Sequence, residues 1–256
     1  TRAQSMAHLV GSARAGALGH AAAALSNDPG SQANPASAAS IAQRRVHFFA
    51  RESYGLAELR LGNADLAVPL TPGTLFGGFG TFGFEDFRES FVRVGWAQAV
   101  SLGTSRSLRV GLDLRYHHTT IASYGQAGAL GLSAGLQARL VPTLVFGAHA
   151  TNLNAPRLVR DEDLPRTLAV GLAYEAAATM TTLVEVVKDV DFPLSVRGGV
   201  ELRPVPALAL RAGVTTRPTR FTAGAGLRIG PLSADVAAEQ HQDLGWSPAV
   251  GLGLAW

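Results

Sequence analysis

Apolar residues alternate with small or polar residues along most of the chain, most regularly from Pro193 to Trp256. From Phe221 to Ile229, for example, every second residue is apolar; Arg220 precedes this run, and the alternate residues within it are Thr222, Gly224, Gly226 and Arg228. A period of two is typical of a β-strand, because successive side chains of a strand point to opposite faces. The pattern therefore predicts strands with one apolar face and one polar or charged face.

From Gln43 onward, alternation and turn residues together predict a series of strands. Most are close to the roughly 9–11 residues that a tilted strand needs to cross a bilayer. In the second strand, the apolar residues Leu59 and Leu61 stand at odd-numbered positions, whereas Leu66 and Val68 stand at even-numbered ones. In a regular strand these two pairs would face opposite sides, which predicts a bulge or a turn at Gly62-Asn63. The fourteen predicted strands cover residues 43–54, 56–69, 74–83, 88–101, 107–119, 127–140, 143–153, 166–176, 179–189, 194–203, 206–216, 219–229, 231–242 and 247–256.

The charged residues indicate which way each face points. A soluble β-sandwich or lipocalin would bury the apolar face, and periodicity alone does not exclude that arrangement. Fourteen strands are too many for a small filled barrel, however, and nearly every strand has an apolar face. We therefore predict an all-β protein, a transmembrane antiparallel up-and-down β-barrel of about 14 strands with a short N-terminal helical or plug segment.

In such a barrel the charged faces line the lumen, because a basic side chain facing lipid near the midplane costs about 2–4 kcal/mol. Both signs occur on neighbouring strands, so we expect cross-strand ion pairs inside. The predicted lumenal charge network consists of Arg93, Arg109, Asp113, Arg115, Arg139, Glu175, Glu185, Arg197, Glu201, Arg211, Arg228, Asp235 and Glu239.

Residues 1–42 lack the alternation and divide the chain into an N-terminal segment and a barrel, 43–256. Ala13 to Leu25 is rich in alanine, which predicts a short helix, and the turn residues after Ser26 end it. The segment is either a flexible extension or a plug or mouth-lining helix in the barrel. We favour the plug, because small side chains let a helix fit a narrow lumen.

Composition excludes several classes of function. Charged residues are only 16% of the chain, against roughly 25% in an average soluble domain. There is no cysteine, and the net charge of +3 comes from dispersed basic residues, which argues against a nucleic-acid partner. No apolar run approaches the roughly 20 residues of a transmembrane helix. Since the chain starts without Met or a leader, we expect that a signal peptide has been removed.

Candidate chemistry is sparse. His117-His118 with nearby hydroxyl residues is the one cluster of suitable types for catalysis, but adjacent side chains on a strand point to opposite faces. No spacing suits a metal, so we predict no catalytic residue, metal or cofactor. A group of aromatic residues is interpreted either as lipid-facing and packing residues or as a hydrophobic port or docking patch. It comprises Phe76, Phe79, Phe82, Phe84 and Phe87.

The N-terminal segment also carries a family resemblance. Ser12 to Gly19, Asn27-Asp28-Pro29 and Asn34-Pro35-Ala36 resemble, in order and spacing, the N-terminus of the PorV/PorQ group of outer-membrane proteins. This group is related to the FadL transporters of hydrophobic compounds. Further similarities follow along the barrel, and the terminal Trp256 is similar to the C-terminal aromatic residue that the barrel assembly machinery reads in such proteins.

The resemblance implies a non-enzymatic barrel in the outer membrane of a Gram-negative bacterium. Its partners would be outer-membrane lipid or lipopolysaccharide, the barrel assembly machinery and other envelope or surface proteins. The first functional hypothesis is a subunit of a surface secretion or attachment assembly of the type IX kind. The alternative is a FadL-like passive transporter of hydrophobic compounds. The short predicted loops and the charged predicted lumen favour the subunit.

Overall fold

Fourteen antiparallel strands close into a barrel in the computed structural model, which describes residues 11–28, 33–103, 106–159, 162–177 and 179–256. Each strand pairs with its neighbours along the chain, and β1 pairs with β16 to close the sheet. A separate small hairpin, β8–β9, lies between β7 and β10. The strands are β1 Arg45–Glu52, β2 Arg60–Pro69, β3 Thr74–Gly83, β4 Phe87–Leu102, β5 Arg106–Ile121, β6 Gly125–Val141, β7 Leu144–Ala150, β8 Arg157–Val159, β9 Glu162–Asp163, β10 Thr167–Ala177, β11 Met180–Asp189, β12 Ser195–Val205, β13 Leu208–Thr216, β14 Thr219–Ile229, β15 Leu232–His241 and β16 Gly245–Ala255.

The two ends of the barrel differ in their connections. One end holds the start of β1 and the close of β16, and its connections are tight turns such as 206–207 and 230–231. The other end holds the longer connections, including 53–59 and 151–166. We call them the turn end and the loop end. In outer-membrane barrels the short turns face the periplasm and the longer loops face outward.

The apolar faces of the strands point away from the lumen. Val92, Leu112, Val236 and Leu252, all near the middle of their strands, are more than half exposed, while the alternate residues face inward and are largely buried. A continuous exposed apolar belt around a closed barrel is what a lipid bilayer requires. The transmembrane barrel predicted from the sequence is therefore the fold observed. Within the described residues, no helix is sufficiently long and apolar to cross a membrane.

The predicted strands correspond one for one to the barrel strands, but the bulge or turn expected at Gly62-Asn63 is wrong. A 3-10 helix at Ala57–Leu59 precedes β2, and the register of β2 with both neighbours continues unbroken through these two residues. Leu61 points into the lumen together with Asn63 and packs against other apolar side chains there. The leucines of this strand face opposite sides because the lumen is apolar next to Leu61, not because the strand bends.

Residues 11–28 and 33–42, which we call the plug, fill the lumen. Helix α1, Ala13–Ala17, packs on β13 to β16, and a 3-10 helix, Pro35–Ser40, packs on β3 to β6. The helix predicted to run to Leu25 is wrong in length, since it ends after five residues. The wall explains this end: a Cβ on Gly19, whose φ is +66°, would lie 2.5 Å from the Gly198 carbonyl oxygen. The chain has no room to continue as a helix.

Candidate functional site: the plugged lumen and its two cavities

The charged residues predicted to line the lumen lie on the inner face of the barrel, and all except Arg109 and Arg228 form ion pairs within the described part of the chain. All thirteen predicted residues point inward, and ion pairs join neighbouring strands as the alternating pattern indicated. Glu185 and Arg197 are directly opposite each other in the register of β11 and β12, and their charged atoms lie 3.2 Å apart. Arg139 and Glu175 form a similar pair at 2.9 Å. The inner wall is thus largely neutralised by its own pairs.

Glu201 binds three arginines, one of which belongs to the plug. Its carboxylate lies 2.9 Å from Arg14, 2.6 Å from Arg203 and 2.6 Å from Arg211. Arg211 also contacts Asp235 at 2.6 Å. Burial by itself disfavours the charge of Arg14, yet the Glu201 carboxylate raises the pKa of Arg14 above its ordinary value. The helix of the plug is therefore tied to β12 by a charged, bidentate contact.

Glu239 forms the second tie between the plug and the wall. His20 Nε2 lies 2.5 Å from one carboxylate oxygen of Glu239, and Arg51 and Arg220 lie 2.8 Å and 3.2 Å from the other. His20 has a φ of 60°, a conformation that tertiary contacts must hold in place. The contact fixes the turn that follows α1.

Glu185 forms the third tie through the backbone of the plug. One of its carboxylate oxygens accepts hydrogen bonds from the backbone N–H groups of Ala22 and Ala23, at 2.8 Å and 2.6 Å. The other oxygen accepts from Arg197 at 3.2 Å. The Glu185 side chain is fully buried. Because the amides of the plug have no helical partners here, this carboxylate supplies the acceptor that they need.

A fourth group of charges stands beside the plug on β2, β4 and β5. Arg93 and Arg115 face each other in the register, and Asp113 lies between them, 3.5 Å from Arg93 and 3.8 Å from Arg115. Asp65 binds Arg93 at 2.6 Å. The Arg93 guanidinium also stacks over the ring of Phe76, 5.4 Å from its centre. The opposed arginines are tolerated because the two aspartates compensate them.

The Asn-Asp-Pro and Asn-Pro-Ala sequences of the N-terminal segment shape the plug. The Asn34 side chain caps the 3-10 helix by accepting from the Ala36 amide, and it donates to the Ala23 carbonyl at 2.6 Å and to the Leu136 carbonyl at 3.1 Å. Pro35 occupies the first position of that helix. In the other half of the motif, Asp28 accepts from Ser12, Asn27 has a φ of 57°, and Pro29 lies outside the described residues.

A cavity of about 370 Å³ opens above the plug at the loop end. Its apolar wall is formed by Tyr54, Leu59, Phe82, Val187 and Phe192 together with two prolines. Its charged residues are mainly basic, namely Arg51, Arg197, Arg217, Arg220, Asp189 and His20. The cavity therefore offers an apolar surface directly against the part of the plug that Glu239 holds.

A second cavity, of about 330 Å³, lies below the plug at the turn end. Five arginines line it, and Asp28 and Asp235 are the acidic residues of its lining. Apolar residues of the β12–β13 turn form one side. The plug separates this cavity from the one at the loop end.

The wall is incomplete beside β7. β7 pairs with β6 only from Ala134 onward, so within the described residues the loop-end half of β6 has no strand paired to it in a ladder on that side. The side-chain amide of Asn154 takes the place of a strand there, accepting from the Leu132 N–H at 2.8 Å and donating to the Leu130 carbonyl at 2.7 Å. The Leu153 N–H also donates to the Leu132 carbonyl at 2.7 Å, so a few contacts of the segment after β7, rather than a continuous strand ladder, close the wall at this position.

The predicted aromatic patch is divided between two environments. Phe76 and Phe82 point into the lumen and are buried, whereas Phe79 faces outward and is 63% exposed. Phe84 and Phe87 flank the β3–β4 connection at the loop end. The five residues do not form one surface, because alternate residues of β3 face opposite sides. Only Phe82 lines the loop-end cavity.

The remaining candidates behave as isolated residues. His117 is buried on the lumenal face, while its neighbour His118 faces outward and stacks on Tyr116. Trp256 follows β16 and is 56% exposed, and its N–H donates to the Arg44 carbonyl. Its role as an assembly signal stays a prediction. Among the described residues, no group of three or more potential metal ligands is present.

Sequence reasoning missed several residues of the plug and of the charge clusters around it. Arg14 and His20 lie in the N-terminal segment, where no alternation marks a lumenal face. The alternation could have identified three others, because each stands an even number of positions from other lumenal residues of its strand: Asp65, Arg51 and Arg220. The ion pairs between plug and wall, which join residues up to 219 positions apart, leave no trace in local sequence patterns.

Comparisons with known proteins identify the fold. No protein-family model matches the chain, and no curated protein matches its sequence. Among solved structures, the toluene transporter TbuX of Ralstonia pickettii has a TM-score of 0.65 at 13% identity, covering 94% of this chain and 96% of that one. The toluene transporter TodX of Pseudomonas putida has a TM-score of 0.63 at 12% identity, covering 94% and 95%. A Pseudomonas aeruginosa FadL homologue has a TM-score of 0.59 at 11% identity, covering 92% and 94%.

The chain therefore has the fold of the FadL-type outer-membrane barrels, over nearly its whole length. At this level of identity the likeness defines the class of barrel and not the compound that it handles. It agrees with the FadL part of the resemblance noted in the sequence.

Proposed function

We propose that this chain is a non-enzymatic, passive transporter of small hydrophobic compounds across the outer membrane of a Gram-negative bacterium. The observation that carries the proposal is the loop-end cavity, which joins an apolar wall to the plug inside a barrel of the FadL type. A cavity with apolar walls and a few polar groups is the usual form of a site for small molecules. The similar barrels TbuX and TodX are toluene transporters.

The seated plug separates the two cavities, so transport requires either that the plug moves or that the compound leaves through the wall. Three carboxylates, Glu185, Glu201 and Glu239, hold the plug, and each contacts a different part of it. The gap in the strand ladder beside β7, closed by Asn154, is the candidate exit through the wall. Both routes begin at the apolar side of the loop-end cavity.

The second candidate is a subunit of a type IX secretion or attachment assembly, as in the PorV/PorQ group. The observation in its favour is the plugged, charged lumen. In that case the barrel would act through contacts with other envelope proteins and would pass no solute.

Uptake of a radiolabelled monoaromatic hydrocarbon, toluene, by bacteria that express the chain tests the proposal. Cells with an intact lipopolysaccharide layer are required, since hydrophobic compounds cross simple lipid bilayers unaided. We expect faster uptake than in cells with an empty vector. Phe192→Glu should abolish most of the gain, because it places a charge in the apolar wall.

Tyr124→Glu is the matched control, because Tyr124 is 90% exposed at a loop tip outside the cavity lining. It should leave uptake unchanged. Uptake equal to that of the vector, with the barrel folded in the membrane, contradicts transport. Co-purification of envelope proteins from the same cells would then favour the assembly subunit.

A further inference from the structure

The cavity at the turn end contains positive charge that the protein itself does not neutralise. Of its arginines, Arg14, Arg203 and Arg211 bind Glu201, and Arg211 also binds Asp235. Among the described residues, by contrast, Arg228 has no carboxylate within ion-pair distance. Within the described part of the chain, the guanidinium of Arg45 donates to the Asn27 carbonyl at 3.5 Å and forms no ion pair, although the Asp28 carboxylate is close enough to act on it electrostatically.

A buried imidazole side chain also lines this cavity. His47 lines the cavity and is 6% exposed, and its Nδ1 atom makes no hydrogen bond within the described part of the chain. Arg45 and His47 lie on the same lumenal face of β1.

The strand register places these groups around one recess. Arg228 faces Ser233 across β14 and β15, Ser233 faces Gly253 across β15 and β16, and Gly253 faces His47 across β16 and β1. Strands are about 4.8 Å apart, so the row spans roughly 14 Å of curved wall. The two middle residues, Ser233 and Gly253, have very small side chains. They therefore leave open space in the recess between the side chains of Arg228 and His47.

We propose that this recess is a binding site for a small organic anion, whose carboxylate or phosphate group contacts Arg228, Arg45 and His47. The apolar part of the anion would lie against Val205, Pro206 and Ala209, which line the cavity on the β12–β13 side. Charge-assisted hydrogen bonds from arginine are the usual means of binding such groups. A recess lined by an excess of one sign also raises the local concentration of the opposite ion.

The two acidic residues of the lining are hydrogen-bonded within the protein and compensate only part of its positive charge. The Asp235 carboxylate is bound to Arg211, and the buried Asp28 carboxylate accepts from the Ser12 hydroxyl. The turn end faces the periplasm in outer-membrane barrels, so the site is accessible to periplasmic solutes. It is independent of the proposed transport of hydrophobic compounds, whose cavity lies on the other side of the plug.

Isothermal titration calorimetry on the full chain in a nonionic detergent at low salt tests the site. The probes are 1-naphthoate, the uncharged 1-naphthamide and inorganic phosphate. We expect 1-naphthoate to bind at least tenfold more tightly than 1-naphthamide. Binding of phosphate with no binding of 1-naphthoate also supports the site and assigns it to the phosphate group.

Arg228→Gln should weaken anion binding about tenfold, and His47→Phe should weaken it severalfold. Arg217→Gln is the matched control, since Arg217 lines the loop-end cavity and should have no effect. The proposal is overturned by three results: neither anion binds, the amide binds as tightly as the carboxylate, or Arg217→Gln weakens binding as much as Arg228→Gln. Circular dichroism of each variant shows whether the barrel is folded.

Discussion

Removal of the Glu185 carboxylate is expected to release the plug. The carboxylate accepts from the buried amides of Ala22 and Ala23 and from Arg197, and Glu185→Ala leaves these three donors without their acceptor. A hydrogen bond to a charged group contributes about 1.5–3 kcal/mol. The two amide bonds therefore contribute about 3–6 kcal/mol to the seated plug. Since 1.4 kcal/mol is a factor of ten, the ratio of displaced to seated plug should rise about 10²- to 10⁴-fold.

Two measurements on the purified barrel detect displacement of the plug in Glu185→Ala. Hydrogen exchange at the amides of Ala22 and Ala23 should accelerate, because they become accessible whenever the plug is displaced. In planar bilayers, the fraction of time with measurable ion conductance should increase, because the seated plug separates the two cavities. The melting temperature of the barrel strands should change less, since the strand ladder is intact.

Glu175→Ala is the control for Glu185→Ala. Glu175 also faces the lumen and pairs with Arg139 at 2.9 Å, but its side chain is partly exposed and has no hydrogen bond to the plug. Conductance and amide exchange should stay at the level of the parent chain. If Glu185→Ala also behaves like the parent chain in both assays, the carboxylate does not anchor the plug and the argument fails.

Three further changes test other parts of the structure. Gly213→Ala should displace the plug and raise conductance, because the added Cβ would lie 2.2 Å from the Gly19 nitrogen. Gly62→Ala should not, because its Cβ would make only an ordinary contact, 3.9 Å from the Phe49 carbonyl oxygen. Asn34→Ala should accelerate hydrogen exchange in the 3-10 helix, since it removes the cap and costs about 0.5–2 kcal/mol. Val92→Arg should lower the stability of the barrel in vesicles by about 2–4 kcal/mol in denaturant titrations, because residue 92 faces lipid, and an unchanged midpoint would place that face elsewhere.

Most of the barrel was predictable because its rules are local. Period-two alternation fixes which residues face lipid, and the turn residues separate the strands, so Leu112 and Asp113 could be assigned to opposite faces from the sequence alone. The same rule identified the lumenal charges. The rule gave a wrong prediction at Leu61. This apolar residue points into a partly apolar part of the lumen, which in the sequence looks as if the apolar face had switched sides.

The plug and its contacts were not predictable in the same way. Alanine content predicts a helix to Leu25, but the helix ends at Ala17 because the wall at Gly198 and Gly199 meets the chain there. The partner of Ala22 and Ala23 is a glutamate more than 160 residues away. Propensity describes a chain in isolation, whereas this segment folds against a wall that already surrounds it.

The sequence by itself thus determined the class of the molecule: the strand count, the outward apolar belt and the charged lumen. These follow from alternation, in which each residue reports the environment of its own face. Only the tertiary structure decided which residues hold the plug in the lumen and where the lumen remains open. Closure of the sheet brings Arg14 to Glu201 and His20 to Glu239, and it leaves Arg228 and His47 around an open recess. Such contacts depend on register and curvature, which place distant residues together without any signal in the local sequence.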